Sequence, residues 1–303
     1  MKLEPYALGI DLGGSSIKAV AVIPDGRVLV QKQVSFDAAA GLDWSGKIRD
    51  LVRQLQSERE RPASAIGLSA PGLAAADQRS IAHMPGRLQG LEGLDWTWFL
   101  ESASPVPVLN DAHAALLGEA WIGAARSYHN VIMLTLGTGV GGAAMVDGRL
   151  LRGAIGRAGH LGHASLNPEG PPDVTQTPGS LESAIGNCTL PERTHGRFQT
   201  THELLAACRA GDAEARAVWL KSVKALAAAV CSFINILDPD AVIVGGGVAR
   251  AGERLFRPLL HFLEAMEWRP GGHRVRILPA LLSEFAGAFG AAHRAMEGEH
   301  FHE

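Results

Sequence analysis

The chain reads as an α/β protein of two similar halves, on three observations. Apolar strand-like runs alternate with helix-spaced segments along the 303 residues, the pattern of a layered mixed fold. Two glycine-rich hairpins, at 8–22 and 133–146, share one layout: apolar strand, glycine turn, apolar strand, then an Asp-Gly turn at Asp25-Gly26 or Asp147-Gly148. The length allows roughly two domains. Matching hairpins point to an internal duplication that grips one ligand from both sides. Bare backbone amides at glycine turns suit phosphate.

Residues 6–22 and 27–34 predict three strands, with a tight turn at Pro24-Asp25-Gly26. A helix is expected over 45–59, where Ile48, Leu51, Val52 and Leu55 share a face. Residues 65–68 form a short buried strand closed by Ser69-Ala-Pro-Gly72. Residues 106–109 form another and run into Asn110-Asp111, where a helix starts and continues through 114–125. The second hairpin occupies 131–144. From 150 to 193 there are few regular periods and many Gly and Pro residues, which suggests a long functional loop region rather than a linker.

Residues 213–237 carry the clearest helical pattern, with Val218, Val223, Leu226, Val230, Phe233, Ile234 and Leu237 at helical spacing and Pro239 as its stop. A buried strand at 241–244, a Gly245-Gly-Gly247 turn, a helix at 253–266 and a last strand at 275–278 follow. The terminal helix spans 283–296, with Gly287 and Gly290 permitting close packing. The polar tail 297–303 is expected to fray.

Charged residues are 19%, apolar residues 47% and the net charge is −3. Nothing in that balance favours nucleic acid or an anionic membrane surface. The N-terminus passes directly into a strand pattern, so no signal peptide is expected. The longest apolar stretch, 225–237, contains Ser232 and Asn235 and is shorter than the ~20 residues of a membrane span. A soluble cytoplasmic protein is expected. The three cysteines, Cys188, Cys208 and Cys231, are odd in number and widely spaced. They read as buried thiols rather than as a disulfide framework or a zinc motif.

Asp11 ends a strand at the mouth of the first glycine turn. A carboxylate beside phosphate needs a cation, and Mg²⁺ is the natural one; a turn Asp that satisfies backbone amides is the alternative. Lys18 is either a phosphate neutraliser or a solvated strand residue. Gly137-Thr-Gly-Val-Gly-Gly142 suits a second phosphate, with Thr138 adding a hydroxyl; a packed hairpin is the plainer reading. Asp111 at a helix start is kept ionised by the helix dipole. It is a general-base candidate if the hairpins hold a nucleotide nearby, and otherwise an N-cap. Three bare glycines at 245–247 allow a base or ribose to lie on backbone. His160 and His163 lack cysteines or carboxylates at zinc spacing, so hydrogen bonding to a polyol is the better expectation.

Together these segments resemble the ROK family of sugar kinases, in the actin/hexokinase/Hsp70-like superfamily. Asp11-Leu-Gly-Gly14 is similar to its first phosphate motif and Leu136-Gly-Thr-Gly-Val-Gly-Gly142 to its second. Asn110-Asp111 is similar to its catalytic motif, and Asp238-Pro-Asp-Ala-Val-Ile-Val-Gly-Gly-Gly-Val248 to its adenosine segment. The resemblance implies two ribonuclease H-like lobes with the nucleotide in an interlobe cleft. The first lobe would take 1–112 and 286–303, the second 113–285. It implies ATP and Mg²⁺, the latter at Asp11, with Gly13, Gly14, Lys18, Gly137, Thr138, Gly139, Gly245, Gly246 and Gly247 around the nucleotide. Asp111 would be the catalytic base, and Asn110, Gly72, His160, His163 and Glu182 would bind the sugar. A homodimer is also implied.

Three departures stand out. The family's Glu-x-Gly-His segment has His160 in the Glu position, with Gly162 and His163 in place. Its three zinc cysteines fall on Asp173, Thr175 and Ser180, so structural zinc is not expected and His163 is freed for substrate. A sugar-contacting Asn falls near Arg87. The implied reaction is transfer of the γ-phosphoryl of ATP to a hexose, O6 of glucose first. Another hexose, an N-acetylated amino sugar, a polyphosphate donor and a catalytically weak sugar-binding protein are the alternatives. The family's transcription regulators carry an N-terminal DNA-binding domain, for which a first strand near residue 6 leaves no room.

Overall fold

The structure, a computed structural model, describes residues 4–37, 41–84 and 88–297. In chain order the elements begin with β1 (Ala7–Leu12), β2 (Ser16–Val22), β3 (Val28–Ser35), α1 (Asp43–Glu58), β4 (Ala65–Ala70), β5 (Leu73–Ala74), β6 (Ile81–His83), α2 (Trp96–Phe99), β7 (Val108–Asn110) and α3 (Asp111–Ile122). They continue with β8 (Val131–Leu136), β9 (Val140–Val146), β10 (Arg149–Leu150), α4 (Leu181–Ile185), α5 (Leu190–Arg193), α6 (Thr201–Arg209) and α7 (Ala213–Leu237). The last are β11 (Ala241–Gly245), α8 (Glu253–Met266), β12 (Arg276–Pro279) and α9 (Ala286–Glu297).

The chain divides into two compact units. The first takes the described residues of Met1–Ser127, Arg152–Ala158 and Leu281–Glu303, the second Tyr128–Leu151 and Gly159–Ala280. The five-stranded sheet of the first runs β3-β2-β1-β4-β7, that of the second β10-β9-β8-β11-β12. Counting only the strands of each five-stranded sheet in chain order, both read third, second, first, fourth, fifth. In each, a pair of antiparallel hairpin joints is followed by parallel pairings. The duplication legible in the hairpins therefore extends to the whole sheet.

Alternation along β1 sets the layers of the first unit, because successive side chains point to opposite faces. Leu8, Ile10 and Leu12 join the core cluster that holds Ile48, Leu51 and Leu55 of α1. Ala7 faces the other way and packs with Ala288, Phe289 and Ala292 of α9. The α9 face is built from small residues: a Cβ at Gly9 would overlap Ala288 O, and one at Gly67 would overlap Ala291 O. The second unit has one large core, in which Ile132, Leu134 and Val242 of the sheet meet Val223, Leu226 and Val230 of α7 and Leu255 and Leu259 of α8.

The second unit begins at Tyr128 rather than at 113. The physical reason is α3, whose Gly118 and Ala114 lie backbone to backbone against α9 at Gly290. The wholly buried Glu119 then ties the end of α3, accepting from Ala124 N at 2.6 Å and Leu282 N at 2.8 Å. Helix α7 is long and apolar enough to cross a membrane by length and composition alone. In this fold its Trp219, Val223, Leu226 and Val230 are core residues. It stops at Asp238, in the left-handed region at φ 43°, one residue before Pro239.

Elements β5, β6, α2, α4 and α5 are too short to show a period. Helix α6 did carry a signal: Thr200 is its N-cap, with Glu203 N donating to Thr200 Oγ1 at 3.2 Å, and Glu203 Oε2 reaches back past the cap to accept from Gln199 N at 2.8 Å. The cysteine expectation needs correcting. Cys231 is buried, but Cys208 is half-buried and Cys188 exposed, because Cys188 sits in a loop that backs a turn rather than in a core helix.

Candidate functional site

Strands β1, β4 and β7 are parallel neighbours, so their C-terminal ends arrive together. Asp11 pairs with Ser69 in register, and Ala70 with Asn110. In open α/β sheets this edge is where ligands bind. Ser69 Oγ donates to Asp11 Oδ1 at 2.7 Å. Lys18 lies opposite Asp11 across the hairpin, its Nζ 3.9 Å from Oδ2, and the two side chains are 16% and 13% exposed. Lys18 is thus a largely buried partner of Asp11, not a solvated strand residue. A Cβ at Gly287 would lie 2.7 Å from Asp11 Oδ1, so the first turn of α9 makes room for the carboxylate.

Burial raises the Asp11 pKa to about 6, with Lys18 and the Ser69 hydroxyl opposing and the charge of Asp111 adding to the rise. A folded value above the ordinary 3.8 means that ionisation costs the fold; stability from this group falls as pH rises from 3.8 to about 6. Asp11→Asn retains an acceptor for Ser69. It is expected to raise stability at neutral pH by roughly 1–3 kcal/mol, a gain that fades toward pH 3.8. Thermal unfolding of both proteins across that window checks this, and a variant less stable than wild type at neutral pH would show that the Lys18 pair outweighs burial.

The first glycine turn closes with Gly13 N donating to Ser16 O at 2.9 Å. Nothing lies within 4 Å of a Cβ built at Gly14, and among the described residues the N–H groups of Gly14 and Ser15 have no intramolecular partner. Asn110 is the N-cap of α3: its Oδ1 accepts from Ala112 N at 3.0 Å and His113 N at 3.3 Å. Its Nδ2 donates to Gly72 O at 2.9 Å. Gly72, at φ +99° with His83 O 2.6 Å from any Cβ, serves a tight turn and presents its carbonyl to Asn110. With the cap supplied by Asn110, Asp111 becomes the first helical residue, exposed, with Oδ1 accepting from Ala112 N at 2.8 Å. The helix start does not hold its pKa down. Protein packed around the carboxylate costs it hydration and raises the pKa, against the bonds from Ala112 and Asn110.

The second turn repeats the first. Gly137 N donates to Gly139 O at 2.9 Å, while the carbonyls of Gly137 and Thr138 accept from Asn187 N at 3.0 Å and Cys188 N at 2.7 Å. Among the described residues, the N–H groups of Thr138 and Gly139 have no intramolecular partner. Glu182 Oε2 accepts from Val140 N at 2.9 Å, and only a glycine at 139 lets that oxygen come so close. Gly246, at φ +87°, rests on Leu136, whose carbonyl a Cβ would overlap. The 245–247 turn therefore lies against the residue that precedes the second glycine turn. Gly247 is open, with nothing within 4 Å of a Cβ.

A 3-10 turn, Leu161–His163, is pressed onto β9: a Cβ at Gly162 would overlap Val140 O. His160 precedes this turn and is half-buried. His163 Nδ1 lies 2.8 Å from Asp173 Oδ2. His163, Asp173 and Glu182, but not His160, bring ligand-type atoms within 4.8 Å of one another. Arg87 lies outside the described residues. Three residues at these places were not singled out from the sequence as contributors. Ser69 was legible, since Ala65, Gly67 and Ser69 share one face of β4 as Ala7, Gly9 and Asp11 share one face of β1. Gly287 and the Asp173–His163 contact depend on packing and on an aperiodic loop.

A sequence profile of the ROK family matches residues 7–297. The chain belongs to the ROK family. A glucokinase of Thermotoga maritima is 31% identical to this ROK chain over 94% of the chain and 95% of the relative. An N-acetylmannosamine kinase of Escherichia coli is 28% identical over 94% and 96%. Among solved structures, a ROK hexokinase from Thermus thermophilus superposes with TM-score 0.85 at 30% identity, covering 97% of this chain and 99% of that one. A ROK glucokinase from Streptomyces griseus in complex with glucose and AMPPNP gives TM-score 0.77 at 27% identity, covering 97% and 100%. The α/β fold is that of the ROK sugar kinases, the actin-like ATPase fold.

Proposed function

We propose that this ROK sugar kinase transfers the γ-phosphoryl group of ATP to O6 of a hexose, glucose before other sugars, with Asp111 as the base. The observation that carries the reading is Asp111 itself. It is an exposed carboxylate at the binding edge of a parallel sheet, relieved of capping by Asn110 and with a raised pKa. A carboxylate shifted toward neutrality is the better proton acceptor in the transition state. Its Oδ1 is steadied by Ala112 N, and it takes the proton of the attacking hydroxyl.

Phosphoryl transfer has a loose transition state, so positioning and charge neutralisation supply most of the rate. The unpartnered N–H groups of 14, 15, 138 and 139 bind phosphate oxygens, and Gly245–Gly247 lie along the adenosine. Asp11 fits Mg²⁺: a carboxylate whose pKa burial raises to about 6 despite Lys18 accepts a cation that a triphosphate brings. The ion, when bound, neutralises developing phosphate charge; Lys18 supplies a fixed positive charge beside it. Asn110, His160, His163 and Glu182 bind sugar hydroxyls, with Asn110 and Glu182 also fixed to Gly72 O and Val140 N.

Glucokinase relatives favour glucose, and the N-acetylmannosamine kinases favour an amino sugar as the second candidate. ADP release measured across a sugar panel decides between them; no sugar-dependent turnover with ATP or polyphosphate sinks the kinase reading. The Asp11 pKa sets a pH dependence. The ionised form acts, so kcat/KM for ATP is expected to fall as pH drops below about 6, while the Asp11→Asn variant is inactive at every pH. A profile flat through that region would remove Asp11 from nucleotide binding.

A further inference from the structure

The segment from His163 to Glu182 is organised around one buried carboxylate. Asp173 is 3% exposed. Its Oδ1 accepts from the Thr175 N–H and the Thr175 hydroxyl, each at 2.8 Å, and from Thr177 N at 3.1 Å. Its Oδ2 meets His163 Nδ1 at 2.8 Å. Ser180, whose hydroxyl helps to lower the pKa of Asp173, caps α4, the helix that carries Glu182, by accepting from Ser183 N at 3.2 Å. Burial alone would raise the pKa of Asp173; the bonds from His163, Ser180 and Thr175 prevail and hold it well below the usual carboxylate range.

His163, Asp173, Thr175 and Ser180 stand at the four positions where the family resemblance implies zinc. The donor set does not fit that ion. Zinc in structural sites takes four imidazole, thiolate or carboxylate ligands, whereas these positions offer one imidazole, one carboxylate and two hydroxyls. The carboxylate is already engaged by His163, Thr175 and Thr177 N. Glu182, with Oε2 accepting from Val140 N, adds a second carboxylate within reach of His163 and Asp173, which brings the set to three ligands and leaves it short of the four a structural zinc takes.

We propose that Asp173 is a positioning residue that replaces a metal: it holds the His163 ring through Nδ1–H, which leaves Nε2 as a hydrogen-bond acceptor for a substrate hydroxyl. The proton assignment follows from chemistry, since an ionised carboxylate only accepts. In the neutral ring the other nitrogen then carries the lone pair. The substrate half of the proposal rests on the sugar-kinase reading above; the tautomer half does not.

Asp173→Asn separates the two. Oδ1 faces three donors, so the amide oxygen stays there and the loop is kept. The NH₂ group then replaces Oδ2 and can only donate to Nδ1, which forces the proton to Nε2. An Asp→Asn change beside a histidine inverts the tautomer without moving the ring. The full-length protein, ¹⁵N-labelled at histidine, is measured by long-range ¹H–¹⁵N NMR at about pH 8, above the range of an unperturbed imidazole. Wild type should show His163 as the Nδ1–H form and the variant as the Nε2–H form. The wild-type Nε2–H form, an unchanged tautomer in a folded variant, or one zinc per chain in metal analysis would each overturn the proposal. Affinity for glucose or N-acetylmannosamine, whichever the wild type binds, should fall roughly 10–100-fold, the usual cost of losing an orienting partner, with kcat changed far less. Unchanged affinity with a switched tautomer would overturn the substrate role. Absence of any sugar phosphorylation in wild type would sink the kinase reading and leave the NMR result standing.

Discussion

Asp111→Asn is expected to lower kcat by about 10²–10⁴, the usual contribution of a positioned base, while sugar affinity stays near wild type. The substitution is mild. Asn keeps an oxygen for Ala112 N, the contact now made by Oδ1 at 2.8 Å, and the cap of α3 belongs to Asn110, so the helix start does not depend on the charge. The charge near Asp11 is lost, which removes one contribution to its raised pKa and gives the variant a second signature: the acid limb of its kcat/KM profile moves to lower pH. Steady-state kinetics with calorimetric sugar binding separates the outcomes. Activity within a few-fold of wild type would remove Asp111 from the chemistry, and a loss confined to sugar affinity would make it a binding residue.

Gly290→Ala is expected to destabilise the protein by about 3 kcal/mol or more, the upper end of overpacking costs. Intrinsic propensity predicts the opposite sign, since Ala is better than Gly by about 1 kcal/mol inside a helix. Packing decides because the added Cβ would overlap the Ala114 carbonyl and approach Gly118 N to 2.9 Å, both backbone atoms that cannot rotate away. Gly46→Ala in α1 is the matched control, with nothing within 4 Å of the new Cβ; it should be neutral or stabilising by up to about 1 kcal/mol. Denaturant unfolding of the pair tests the seam. A typical domain holds only about 5–15 kcal/mol in total, so the expected loss is large. If both variants gained stability, the close approach of α3 and α9 would be wrong.

The first prediction rests on residues that were legible from sequence; the second rests on a contact that was legible only in part. Gly290 was readable as a small residue for close packing, but its partner was not. Helix α3 was expected with the second half of the chain, and the structure puts it in the first unit, against α9. Nothing local marks that choice, because α3 is apolar on nearly every face and gives no preferred side; Ala112, Ala114, Ala115 and Leu116 are all buried. The same limit applies at the site. Asp11 and Asp111 could be singled out, each beside a turn or a helix start, yet the hydroxyl of Ser69 on Asp11 and the room made by Gly287 came only with the sheet register and the seating of α9.

Local chemistry, then, determined the two glycine hairpins, the ends of α7 and α8, the alternation along β1 and the residues gathered at the first and second turns. Each of these depends on a period of two or 3.6 and on turn residues close in the chain. Tertiary structure alone decided which distant carboxylates and hydroxyls meet, to which unit α3 belongs, and that Asp173 grips His163 inside a loop with no period. Those are choices among pairings that are equal in local energy, and they are settled by register, by backbone approach at small residues, and by the cost of leaving a buried carboxylate without donors.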